Sequence, residues 1–374
     1  MIRIDSNYNC CGCGACVQKC PKQCITLQVD NEGFLYPQTD AEKCVDCGLC
    51  EKVCPMLTPY ESHAPLKVLA AINEDEEIRM QSSSGGIFTL LAEKVINEGG
   101  VVFGARFDEE WQVTLDYTET IEGLAPFRGS KYVQARTGET YKQCENFLKD
   151  GRKVLYSGTP CQIAGLTHFL KRKYDNLITV EIICHGTPSP KIWHEYLRTF
   201  IQEPKEITYI NFREKQIGGG YNYVIKSGSK TLFDDAASKS LYSLGFIENY
   251  YVRPSCFYCK AKSGRSHADF TLGDCWGIET IDKEFDDGKG VSAVCVNTPN
   301  AKATIEELSF ESIEFPLGIL AKYNPCYNFA TKEPLSRHYF WRKYDKLGFG
   351  VVQKTRNHDS NIIIRIIRKL KNVI

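Results

Sequence analysis

From Leu66 onward, short apolar runs alternate with stretches whose apolar residues recur every three or four positions, the pattern of strands followed by amphipathic helices. The runs Val68 to Ile72, Val101 to Phe107, Val154 to Ser157 and Ile178 to Cys184 predict strands. Ile87 to Asn97, closed by Gly99-Gly100, and Glu139 to Lys149, Ile163 to Tyr174 and Pro190 to Phe200 predict helices. Such alternation predicts an α/β core with ligands at the carboxyl ends of its strands. Two segments fall there, each after a strand and before a helix: Ser157-Gly158-Thr159-Pro160-Cys161 and Cys184-His185-Gly186-Thr187-Pro188. Beyond about residue 205 the expected strands crowd together, at Thr208 to Phe212, Tyr223 to Lys226, Phe270 to Leu272 and Val291 to Asn297. They predict a further β-rich portion packed on the same core.

Ahead of Leu66 the apolar pattern gives way to cysteines in a repeated run. Cys10-x2-Cys13-x2-Cys16-x3-Cys20-Pro21 is followed by Cys44-x2-Cys47-x2-Cys50-x3-Cys54-Pro55. This is the bacterial ferredoxin spacing, in which three close thiolates hold one cubane cluster and the fourth reaches across to the other. It assigns Cys10, Cys13, Cys16 and Cys54 to one 4Fe-4S cluster, and Cys44, Cys47, Cys50 and Cys20 to its twin. Gly12, Gly14 and Gly48 let the backbone wrap an inorganic core, and the prolines end each helical turn. Paired zinc sites also use thiolates two residues apart, but need no third cysteine followed by Cys-Pro. Between the runs, Cys24 to Val29 and Phe34 to Tyr36 flank Asn31-Glu32-Gly33 and predict a hairpin. Cys11 and Cys24 fall outside the pattern and read as small buried side chains. Pro55 to Pro65 reads as a linker.

Composition narrows the function classes. The 374 residues carry 46 Lys plus Arg against 46 Asp plus Glu, so no net field favours nucleic acid. Eighteen cysteines in a chain of this length suit thiolate-metal chemistry in a reducing compartment better than a disulfide framework. The first cluster run starts too early to leave room for a signal peptide. No apolar run approaches the roughly 20 residues needed to span a bilayer. The expectation is a soluble, cytoplasmic protein, peripheral to the inner membrane face if its end binds lipid. That end, residues 362–374, places basic residues near one helical face and isoleucines opposite, which suits either an anionic membrane surface or docking on protein.

A second cysteine set lies in the core. Cys256-x2-Cys259 sits in a loop-like context after Pro254, and Cys161 and Cys184 follow strands. Four such thiolates suit a third cluster, a structural zinc or plain burial. Cys275 could replace one of the four, whereas Cys144, Cys295 and Cys326 read as ordinary buried thiols. His185 reads either as a proton donor or as a structural histidine.

Six motifs then occur in order: Ser83-Ser84-Gly85-Gly86, Arg128-Gly129-Ser130-Lys131-Tyr132-Val133-Gln134, Gly158-Thr159-Pro160-Cys161-Gln162, Cys184-His185-Gly186-Thr187-Pro188-Ser189-Pro190, Cys256-x2-Cys259, and Ala268 to Gly277. Together they resemble the beta subunit family of coenzyme F-420 hydrogenases and dehydrogenases, over about residues 65 to 300. With the ferredoxin unit in front, the layout resembles fused bacterial members, many encoded among genes for surface polysaccharide synthesis. The resemblance implies FAD in the α/β core and a further 4Fe-4S cluster beside it, on Cys161, Cys184, Cys256 and Cys259. It carries a flavin-binding role to Ser84, Gly85, Gly86, Gly129, Ser130, Lys131, Thr159, Gly273 and Asp274. Lys131 and His185 are the catalytic candidates. Cys275 departs from the family pattern. Glycines at a strand-to-helix turn admit a pyrophosphate at a helix N-terminus, and Lys131 adds a point charge. Neither a P-loop nor a G-x-G-x-x-G fingerprint appears in the core, so nicotinamide is not expected as a direct partner.

The layout expected is therefore a two-cluster ferredoxin-type domain over 1–60, an α/β flavin domain in two parts over 65–204 and 205–330, and a C-terminal helical tail over 331–374. The function expected is an iron-sulfur flavoprotein oxidoreductase fed by a redox partner protein or reduced ferredoxin and delivering electrons to a small-molecule acceptor. An electron-transfer subunit with no substrate site of its own, feeding a partner enzyme, is the alternative.

Overall fold

A computed structural model describes residues 1–217 and 219–359; the basic segment 362–374 lies outside the described residues. Its strands in chain order are β1 (Ile25–Val29), β2 (Leu35–Thr39), β3 (Lys67–Ile72), β4 (Val101–Phe107), β5 (Val113–Thr118), β6 (Val154–Gly158) and β7 (Leu177–Ile182). Then follow β8 (Tyr209–Lys215), β9 (Tyr221–Ser227), β10 (Lys230–Asp235), β11 (Phe270–Asp274), β12 (Ser292–Val296) and β13 (Glu311–Glu314).

Eight of them form one mixed sheet in the order β13-β3-β12-β11-β7-β6-β4-β5. Its centre, β11-β7-β6-β4, is parallel, and antiparallel strands finish both sides. The central runs are buried without alternation, because layers cover both faces. Leu155, Val180, Phe270 and Val294 pack with Ile87, Leu91 and Val95 of the helix Ile87–Asn97. Phe103, Val154 and Tyr156 pack with Tyr141, Ile163 and Leu166 on the helices Thr140–Lys149 and Pro160–Leu170.

The sequence places the helices Ile87–Asn97 and Thr140–Lys149 closely, but the helix expected from Ile163 to Tyr174 starts earlier and stops sooner. Thr159 caps it in a reciprocal box with Gln162, Pro160 opens it, and Lys171 leaves the helix with φ 62°. The β-rich portion also differs from expectation. β8, β9 and β10 form their own antiparallel sheet over an aromatic core of Trp193, Tyr196, Phe212, Tyr223 and Tyr242. β11 and β12 instead complete the main sheet between β7 and β3, where β12 is buried at every position and β11 at its first three.

The ferredoxin-like unit lies on the layer of helix Pro160–Leu170, where Cys11, Cys13, Ala15 and Val53 join Ile163 and Leu166 in one buried cluster. Its hairpin pairs Ile25 with Thr39 and Val29 with Leu35. The segment expected as a linker is docked: Tyr60 stacks between His168 and His267 at 4.1 and 4.3 Å, and Ser62 donates to the Ser263 carbonyl at 2.6 Å. Among the described residues no helix is long and apolar enough to cross a membrane.

Candidate functional site

Each cysteine run folds as a loop, a glycine and a short helix. Gly14 (φ 74°) precedes Ala15–Lys19, and Gly48 (φ 69°) precedes Leu49–Lys52. Both glycines occupy the left-handed region that residues with a Cβ avoid. One cavity is lined by Cys10, Cys13, Cys16 and Cys54, and another by Cys20, Cys44, Cys47 and Cys50. The last cysteine of each run thus lines the other run's cavity. Cys11 and Cys24 are buried, and each also lines a cavity, Cys24 with its sulfur 3.4 Å from that of Cys20. Burial pushes the Cys16 thiol up to about 12, with Cys10 and Cys54 adding to the effect.

The second set converges from three elements. Cys161 is in the first turn of Pro160–Leu170, Cys184 follows β7, and Cys256 and Cys259 lie in and at the end of the turn Pro254–Tyr258. Because β6 and β7 are neighbours, Cys161 and Cys184 leave the sheet side by side. Burial is the largest cause raising the thiol pKa of Cys184, and proximity to Cys256, Cys161 and Cys259 adds to it. Cys259 is pushed up to about 12 by burial, then by Cys161. For Cys161 the first cause is its hydrogen bond with Cys11, which places the second set against the ferredoxin-like unit. Thiols so desolvated are held neutral unless a cationic core is present to stabilise their thiolates, and four of them together fit a metal cluster. Among the described residues no three His, Cys, Asp or Glu side chains close on a single point as one ion's ligands would. The sulfurs of the N-terminal sets surround cavities instead, and this geometry suits a cube better than an ion.

Cys275 packs apart from the four, among the residues on the far side of β11 and β12. Its N–H donates to the Val291 carbonyl, continuing the β11–β12 ladder, and its side chain packs with Val68, Ala293 and Phe315 beneath the sheet. Cys326 departs from its expected role as well. It is half-buried, with its sulfur 3.5 Å from His185 Nδ1. His185 Nε2 sits 2.6 Å from Asn249 Oδ1, the ring meets Phe246 edge-on at 5.1 Å, and burial lowers the imidazole pKa.

The proposed flavin residues fall in two groups. Ser84 donates to the Val291 carbonyl at 2.7 Å, and a Cβ on Gly85 would stand 2.3 Å from the Ala71 carbonyl oxygen, so these two clamp the loop onto β3 and β12. Gly86 opens the helix Ile87–Asn97 at φ 85°. Gly273 packs on Ile183, and Asp274 pairs with Arg213 at 2.6 Å. Gly129, at φ 79°, has open space where a Cβ would point. The Ser130 N–H donates to Ser83 Oγ at 2.7 Å. Thr159 is at the β6 end, its hydroxyl 3.3 Å from the Cys161 sulfur.

Around these groups positive charge is in surplus. Lys131 is held by the Arg128 and Gly129 carbonyls at 2.8 and 3.0 Å, and burial alone brings its amine down to about 7. Lys215 is held by the Arg79 and Ser84 carbonyls at 2.6 Å each, and burial with nearby Arg79 and Arg213 lowers it to about 8. Arg213 Nε is buried without a hydrogen-bond partner. A desolvated Lys215 amine near Arg213, whose Nε lacks a partner although its head pairs with Asp274, fits an anionic group such as a pyrophosphate, and Lys131 is a second desolvated amine. Arg213 and Lys215 escaped the motif reading. Only their place on the partly buried second half of β8 marks them.

Comparison with known proteins agrees with both halves. Residues 9–57 match the model of the 4Fe-4S dicluster domain, and residues 151–314 match the C-terminal model of the coenzyme F420 hydrogenase/dehydrogenase beta subunit. An uncharacterised protein of Methanocaldococcus jannaschii is 26% identical over 205 residues, covering 46% of this chain and 56% of the relative. A ferredoxin of Streptomyces griseus is 45% identical over 52 residues, 14% of this chain and 45% of the ferredoxin. The chain thus spans about half the length of these curated relatives. A chain of the F420-reducing NiFe hydrogenase complex from Methanosarcina barkeri aligns with a TM-score of 0.48 and 18% identity, over 71% of this chain and 89% of that one. Residues 9–57 are thus similar to 4Fe-4S dicluster domains, and residues 151–314 to the C terminus of coenzyme F420 hydrogenase/dehydrogenase beta subunits.

Proposed function

We propose that the chain is an iron-sulfur flavoprotein oxidoreductase that passes electrons from ferredoxin-type clusters to FAD and on to an organic acceptor. The carrying observation is the convergence of Cys161, Cys184, Cys256 and Cys259, against Cys11 of the ferredoxin-like unit and just beyond the ends of β6 and β7. Cys10, Cys13, Cys16 and Cys54 hold one cluster, Cys20, Cys44, Cys47 and Cys50 its twin, and the second set a third. Cys47 is exposed, so a redox partner protein meets the chain on that side.

Gly129, with open space at its Cα, would offer backbone to the FAD pyrophosphate, and Lys131, Lys215 and Arg213 are the cations that would offset its charge. FAD bound there supplies the change from one-electron to two-electron transfer. Phe246 packs between His185 and Tyr132, at 5.1 and 5.4 Å. His185, tied to Asn249, positions a proton next to the acceptor. The acceptor is a small unsaturated organic molecule or a deazaflavin.

Anaerobic reconstitution tests the reading: about twelve iron atoms and one FAD per chain are expected, with the flavin bleached when dithionite reduces the clusters. A reconstituted chain that takes up no flavin sinks it.

A further inference from the structure

We propose that Arg253 is the shared counter-ion of two clusters, the one held by Cys10, Cys13, Cys16 and Cys54 and the one held by Cys161, Cys184, Cys256 and Cys259, and that its charge raises the reduction potential of both. The inference rests on the cluster assignments of the proposed function.

Arg253 is fully buried, at 0% exposure, yet its donors meet only neutral acceptors. Nε donates to the Cys10 carbonyl at 2.8 Å, one terminal nitrogen to Gln134 Oε1 at 2.9 Å, and the other to the Leu35 carbonyl at 2.9 Å. The guanidinium lies over the rings of Tyr36 and Phe34, at 4.3 and 5.3 Å. Carbonyls satisfy the N–H groups but leave the charge uncompensated, and a buried cation in that state is costly. Its ionisable neighbours are Cys10, Tyr36 and Cys11 on the ferredoxin side and Cys256 on the other. The Arg253 carbonyl also accepts from the Cys256 N–H at 2.9 Å, which fixes the arginine to the turn carrying the second set.

Close approach is built into the first loop. A Cβ on Gly12 would lie 2.7 Å from Gln134 Nε2 and 2.8 Å from a terminal nitrogen of Arg253. Gln134 in turn donates to the Cys11 carbonyl at 3.2 Å. Four thiolates exceed the positive charge of a 4Fe-4S core, so the assembly is anionic and becomes more so on reduction. A buried cation favours the reduced form, and net charge is one of the levers on cluster potential. The cavity of Cys20, Cys44, Cys47 and Cys50 is lined by none of the groups that bind Arg253, so it serves as an internal reference.

The test is a redox titration, followed by electron paramagnetic resonance, of the anaerobically reconstituted full chain and three variants. Gln134→Glu sets a carboxylate against the guanidinium and neutralises it in place. Arg253→Met removes the charge, and Gln134→Met removes the same side-chain hydrogen bonds while leaving the charge. The first two should lower both potentials by at least about tenfold in the electron-sharing equilibrium, about 59 mV for a one-electron couple. The reference cluster, and every cluster in Gln134→Met, should hold its potential. Unchanged potentials in the charge variants, or an equal shift in Gln134→Met, overturn the proposal. Should one charge variant fail to load iron, the other compared with Gln134→Met decides. A chain with about eight irons instead of about twelve removes the third cluster from the proposed function, and leaves the prediction for the Cys10 cluster standing.

Discussion

Gly165 and Cys13 are packed so closely that a Cβ at residue 165 would lie 2.9 Å from the Cys13 Cβ and 3.0 Å from its sulfur. A glycine inside a helix usually weakens it, but here it lets the first cluster loop sit directly on the helix that carries Cys161. Gly165→Ala should destabilise the protein by about 1–3 kcal/mol through overpacking. It should also lower the iron retained at the Cys10 cluster, read by thermal melting and iron analysis. An alanine variant as stable and as iron-rich as the parent would show that the loop yields.

Cys184 and Cys275 each follow a central strand, but only Cys184 has the other cysteines of the second set as neighbours. Cys184→Ser should lose about four of about twelve irons and keep the N-terminal clusters' resonance signals. Cys275→Ser should keep them all. Equal iron loss in both would return Cys275 to the ligand set.

Lys131 gives a pH signature. Its folded pKa, about 7, lies below the 10.5 of an unperturbed lysine. Between those values the unfolded chain binds a proton that the folded chain does not. The stability contribution is therefore present above the unfolded pKa and lost as pH falls through the folded one. In flavin-free protein, the melting temperature of the parent relative to Lys131→Met should rise between about pH 6 and about pH 9. A difference independent of pH would mean that the amine stays charged.

Arg213 and Asp274 are mostly buried, with side-chain exposures of 11% and 17%. Asp274→Asn leaves a buried guanidinium short of its counter-charge and should cost about 3–5 kcal/mol. The Arg213→Met, Asp274→Leu double variant should lose less. Denaturation of the parent, Arg213→Met, Asp274→Leu and their double variant measures the coupling, and additive losses would mean that the pair does not act as a unit.

Much of this was legible along the chain. The cysteine runs specify their sites because each set of three ligands spans a few residues and needs only a glycine-permitted loop. The hairpin, most core strands and the helix at Ile87 follow from local periodicity. The start of the helix at Pro160 was available in Thr159 and Gln162, a capping pair that the apolar period alone overlooks.

Other features depend on pairing between distant strands. The chain by itself determined the doubled cluster unit, the α/β alternation and the glycine turns at strand ends, since all are encoded within short windows. Tertiary structure decided that β11 and β12 enter the main sheet, that Cys161 meets Cys184 while Cys275 turns under the sheet, and that Arg253 lies between cysteine sets far apart in sequence. The physical reason is that strand order and the alternation of side chains across a strand, not spacing along the chain, choose which groups share a face.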